Sequence, residues 1–168
     1  MAKSAFNKKH ELMTNSLSQV LKKMMIKVFV WSVLLYGSET LCLTKEDIRK
    51  LEAMEMWIWR KIERITWTDH ITNDEVLERV QENRQLINLI KERQAKWIGH
   101  VMRSDTLLKD ILEGRTKGKK QSGRPRQKTL DWMMERDNGH TYQELKEMAQ
   151  CRETWRRWCL EPALGQRT

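Results

Sequence analysis

The residues of this chain best suited to chemistry are its cations. Between Lys91 and Lys128 there are twelve lysines and arginines against four acids (Glu92, Asp105, Asp110 and Glu113), a local net charge of +8 in a chain whose total is +9. Residues 1 to 43 carry +4, residues 44 to 90 carry −2 and residues 129 to 168 carry −1. Basicity confined to one stretch is the pattern of a contact with a polyanion, because clustered Lys and Arg bind phosphates and release their condensed counterions.

Other chemistries find little support. General acid/base or phosphoryl transfer needs carboxylates or a histidine brought together, usually around a metal. Here the acids are scattered, and Asp47, Asp74 and Glu75 are explained by helix N-termini, where the dipole favours anions. His10, His70, His100 and His140 have no Cys or His partners at zinc-site spacing. The glycines of EGRTKGKKQSGRPR lack the strand-then-helix setting of a phosphate loop. The expectation is therefore no catalytic residue, no metal and no cofactor. Cys42, Cys151 and Cys159 form no CxxC pair, and their odd number argues against a disulfide framework, which fits a reduced, intracellular address in nucleus or cytoplasm.

Two elements must position the cations. From about Arg84 a helix is predicted on which Leu86, Ile90, Trp97 and Val101 share a narrow arc with Ile87 and Ile98 beside it, while Arg93, Lys96, His100 and Arg103 fall together on the flank. Residues 114 to 128 then hold three of the seven glycines, Pro125, and the basic residues Arg115, Lys117, Lys119, Lys120, Arg124, Arg126 and Lys128, with no acid and no large apolar side chain. That composition predicts a loop or short hairpin. Helix stripe and loop together suit a grip on a sugar-phosphate backbone; a solvated charge run or a nuclear-import signal is the competing reading. Within the loop, Gly123-Arg124-Pro125 resembles the core of an AT-hook, which lies in the narrow minor groove of A/T-rich DNA.

The rest of the chain reads as a scaffold. Its 168 residues predict one domain, long enough to bury about 70% of its unfolded surface. The longest apolar run, Val28 to Tyr36, has nine residues, far short of the roughly 20 that span a bilayer, and the first residues show neither a secretory signal nor an anchor. Leu17, Val20, Leu21, Met24 and Val28 repeat at helical spacing, with 28 to 36 continuing as helix or as a buried strand before Gly37. Thr44 with Asp47, Thr72 with Glu75 and Thr141 with Glu144 are capping boxes that start three helices. On the first, Ile48, Leu51, Met54, Ile58, Ile62 and Ile65 form one face; Met56 and Trp57 fall outside it and need a second contact surface. Trp59, Trp97 and Trp132 suit core packing better than base stacking, and Trp155 and Trp158 flank Arg156 and Arg157.

These blocks also form an ordered set. SVLLYGSETL (32 to 41), LTKEDIRKLEAMEMWIWRKIERITWTDHITNDEVL (43 to 77), RQAKWIGHVMRSD (93 to 105), GRPRQKTLDWM (123 to 133) and RETWRRW (152 to 158) resemble the carboxy-terminal part of non-LTR (LINE-type) retrotransposon reverse transcriptases. The resemblance implies a thumb and post-thumb helical region that packs beside template and primer. The family's catalytic aspartates belong to a YxDD motif in the palm; no YxDD occurs in this sequence, so no catalytic residue carries over. The chain departs from the family at Ser38, where Cys is frequent, and at Leu41, where Trp is frequent.

The resulting expectation is a mostly α fold, a helical bundle of about five to seven helices with a basic loop or short hairpin near 114–128. Residues 1–113 form the thumb-like region, 114–128 the loop and 129–168 a C-terminal helical segment, all in one domain. Its function would be template-primer binding by a polymerase fragment that lacks palm and endonuclease, with Arg93, Lys96 and Arg103 gripping from the helix and the seven loop cations from the loop. Two alternatives stand beside it. One is an interaction or scaffold piece presenting Met56, Trp57, Trp155 and Trp158 to a missing polymerase domain; the other is a transposon remnant with no selected function.

Overall fold

The computed structural model describes residues 1–15, 17–114, 129–136 and 139–160. Among them the regular elements are all helical: α1 (Ala2–Lys8), α2 (His10–Thr14), α3 (Gln19–Ile26), α4 (Ser32–Leu34), α5 (Lys45–Ile62), α6 (Asn73–Val80), α7 (Leu86–Arg103), α8 (Leu107–Glu113), α9 (Asp131–Met134), α10 (Tyr142–Gln150) and α11 (Arg152–Leu160). A π-helical turn, Lys27–Trp31, joins α3 to α4. The mostly α expectation holds, and the helices of eight residues or more among the described residues are α3, α5, α6, α7, α10 and α11. The expected loop or hairpin lies outside the described residues except for Gly114, which ends α8 at φ 72, a left-handed conformation that glycine adopts without a Cβ penalty.

The helix starts follow the local signals. Thr44, Thr72 and Thr141 each accept the N–H of the residue three positions on, and the carboxylates of Asp47, Glu75 and Glu144 reach back to the threonine N–H, as capping boxes require. A fourth pair, Thr66 with Asp69, caps the 3-10 turn Trp67–Asp69.

The chain divides into two compact units, residues Met1–Ser38 with Leu43–Ile90, and Glu39–Cys42 with the residues from Lys91 on. The division falls inside the sequence of α7; the boundary expected at residue 113 falls within the second unit.

In the first unit the core gathers Phe6, Met13, Ile26, Val30, Trp31, Met56, Ile58, Trp59 and Ile62 with Val76, Val80, Leu86 and Ile90. Within segment 28–36 residues 28 to 34 are helical and the chain then turns at 35 and 36, which resolves the choice between helix and strand. Of the apolar set expected at helical spacing, Leu17 is half-buried and Val20, Leu21, Met24 and Val28 are exposed, whereas Ile26, Val30 and Trp31 are buried. The segment is apolar on both sides, and the wider π turn shifts the buried positions, so periodicity alone could not choose the face. Met56 and Trp57 find their second surface within the same unit. Met56 is buried, and the half-buried Trp57 meets Phe6 of α1 edge-on at 5.1 Å between ring centroids, with Lys3 Nζ 5.4 Å from its own.

Glu55 of α5 is buried in this core, and its Oε1 accepts the N–H groups of Gln85 and Leu86 at 3.0 and 3.3 Å. A carboxylate from a distant helix thus satisfies donors at the start of α7 that have no intrahelical partner.

Candidate nucleic-acid interface

The second unit is organised around residues 91 to 103 of α7. Ala95, Ile98 and Met102 point into a core completed by Leu130, Met133, Leu145, Ala149, Trp155 and Trp158. Two buried indoles, each covering on the order of 200 Å² and worth about 5 kcal/mol as an upper bound, hold α11 against this face. The crossing is close: Trp155 Nε1 donates to the Ala95 carbonyl at 2.9 Å, and a Cβ on Gly99 would lie 2.1 Å from that nitrogen. Residues 39–42 join the unit through Gln94, whose buried amide donates to the Leu41 carbonyl at 2.8 Å. The Leu41 side chain is half exposed, and its main chain makes the contact.

The predicted helix cations occupy three different settings. Arg93 is exposed and pairs with Glu39 at 3.6 Å. Lys96 is exposed and pairs with Glu92, four residues back, at 2.5 Å. Arg103 is half buried, and its Nη1 donates to the Ala149 carbonyl at 2.8 Å, in the last turn of α10. There a cation meets the negative end of a helix dipole and an unpaired carbonyl, so Arg103 is also a structural residue. His100 is exposed on the same flank, as a solvated helix residue would be. Arg115, Lys117, Lys119, Lys120, Arg124, Arg126 and Lys128 lie outside the described residues, as does the AT-hook-like Gly123-Arg124-Pro125.

Further cations stand close by. Arg136 lies over the Trp158 ring at 4.4 Å and Lys91 over Trp132 at 5.5 Å, while Lys146 pairs with Glu113 at 2.9 Å. On α11, Arg152, Arg156 and Arg157 are exposed around the inward Trp155 and Trp158. The outward setting of Arg156 and Arg157 is legible in RETWRRW, because tryptophans three apart on one helix face leave the intervening arginines outward.

Burial pushes the Cys159 thiol up to about 11, outweighing Arg136, Lys96 and Arg103, whose nearby positive charges pull it down. The thiol is protonated at neutral pH and is no nucleophile. Cys42, Cys151 and Cys159 are all free. Among the described residues no group of three or more His, Cys, Asp or Glu is placed to hold a metal ion, and no helix is long and apolar enough to cross a membrane.

Exposed lysines and arginines such as these attract phosphates electrostatically. No protein-family model matches the chain, and neither a curated protein nor a solved structure was found to be similar to it.

Proposed function

We propose that this chain is a thumb-like, carboxy-terminal part of a non-LTR reverse-transcriptase polyprotein, and that it grips template-primer nucleic acid without polymerising. The observation that supports this reading most is that Arg93 and Lys96 stand on the exposed flank of α7 and meet carboxylates at the solvent-exposed surface. Lys96–Glu92 is an exposed i,i+4 ion pair worth about 0–1 kcal/mol, so Lys96 exchanges its carboxylate for a phosphate at little cost, and Arg93 holds its pairing with Glu39 at a similarly exposed position. The basic sequence from Arg115 to Lys128 adds seven cations immediately after α8 in the chain.

Titrating a fluorescent template-primer duplex with the full chain at several salt concentrations tests the reading. Neutralising about five phosphates should make log affinity fall against log salt with a slope of at least about −4.5. Binding that is undetectable or insensitive to salt would sink it.

The interaction-piece reading finds less support. Of the four side chains it needs, Met56, Trp155 and Trp158 are buried in the cores of their own units, and Trp57 is packed on Phe6.

A further inference from the structure

We propose that α11 carries a second row of phosphate contacts, Arg152, Arg156 and Arg157, and that the nucleic acid held there is double-stranded and gripped through its backbone alone. The inference rests on the nucleic-acid reading above and adds to it a surface and the way in which the duplex is held.

The first argument is charge without compensation. The cations of α7 are each engaged, Arg93 by Glu39, Lys96 by Glu92 and Arg103 by the Ala149 carbonyl. Among the described residues Arg152, Arg156 and Arg157 are exposed and form no ion pair, even though Glu153 stands four residues before Arg157. Three guanidiniums held in water on one short helix are a ready phosphate site, because no existing partner has to be displaced.

The second argument is placement. Trp155 locks α11 onto α7 at Ala95 and Gly99, and Lys96 and Arg103 are the i−3 and i+4 neighbours of Gly99, one on each side of the crossing. Cys159, three residues beyond Arg156, feels the charges of Lys96, Arg103 and Arg136. The positive flank of α7 therefore continues onto α11 instead of ending at Arg103.

The third argument selects the ligand. Proteins that hold single strands stack bases on accessible aromatic rings. In the second unit no described Trp, Tyr or Phe is exposed: Trp155 and Trp158 are buried, Trp132 lies under Lys91, and the Tyr142 hydroxyl donates to Glu113 at 2.7 Å. What this face offers is guanidinium to phosphate, which a duplex supplies at high density.

The test compares the full chain with an R152Q/R156Q/R157Q variant on a duplex and on the single strand of the same sequence. Exposed arginines leave the fold intact, which an unchanged circular dichroism melt verifies. The variant should flatten the salt slope on duplex by about 2.7, so that between about 50 and 200 mM salt it loses roughly 40-fold less affinity than the parent. The R152K/R156K/R157K variant should keep the parental slope, because charge sets it. If the parent binds with a steep slope that the glutamine variant retains, the α11 row is overturned while the nucleic-acid reading survives. A preference of tenfold or more for the single strand overturns the duplex assignment. A parent chain that binds neither form overturns both the reading and the inference.

Discussion

Trp155 donates its indole N–H to the main-chain carbonyl of Ala95 at 2.9 Å, and the approach is possible because residue 99 of α7 has no side chain. Helix interiors usually favour Ala over Gly by about 1 kcal/mol, so Gly99→Ala would stabilise an isolated helix. Here the new methyl would fall 2.1 to 2.7 Å from indole atoms of a fully packed ring. Overpacking wins: the variant should lose about 1–3 kcal/mol net, and near-ultraviolet circular dichroism of the tryptophans should change. An equal or higher melting temperature would show that the crossing is looser than described.

Glu55 tests the start of α7. Burial raises its pKa, ahead of the N–H groups of Gln85 and Leu86, which lower it. A folded pKa above the unfolded one means that its contribution to stability is complete below the ordinary glutamate range and is lost as pH rises through the raised value. Glu55→Gln keeps an acceptor for the two N–H groups without the charge, so at pH 7 it should match or exceed the parent in urea unfolding, with the advantage disappearing toward pH 4.5. Glu55→Ala, which orphans both donors, should cost about 1–3 kcal/mol.

The capping carboxylates behave in the opposite sense. Hydrogen bonds from the Thr44 side chain to Asp47, and from the main chain of Thr66, Thr72 and Thr141 to Asp69, Glu75 and Glu144, hold these groups below the usual carboxylate range. Their stabilisation is present above the unfolded pKa and is lost as pH falls through the lowered folded values. Removing the hydroxyls with T44V/T72V/T141V should lower the melting temperature at pH 7 and shrink the further drop between about pH 4.5 and 3. An unaltered acid limb would assign the acid sensitivity to other groups.

Arg103 and Lys96 separate binding from stability. Arg103→Gln removes a charged donor from the α10 terminus and should cost about 1–2 kcal/mol, near 2–8 °C in melting temperature, together with affinity for duplex. Lys96→Gln breaks only an exposed pair, so affinity should fall while the melting temperature stays within about 1 °C. Equal thermal effects would mean that the Arg103 contact to Ala149 carries no stability.

The sequence by itself determined what depends on neighbours one helical turn apart: the starts of α5, α6 and α10 at Thr44, Thr72 and Thr141, the amphipathic course of α7, and the concentration of charge between Lys91 and Lys128. These are set by contacts among residues at i, i+3 and i+4, which a linear chain displays. The tertiary structure decided the rest, because burial is a relation between distant segments. Only packing could choose which apolar side of residues 17 to 34 turns inward, lay Phe6 against Trp57, and bury Glu55 beneath the first turn of α7. The same holds for the cations. Arg103 follows the same local pattern as Lys96, yet the position of α10 assigns it to a carbonyl, while Trp155 inserted at Gly99 leaves the arginines of α11 in solvent.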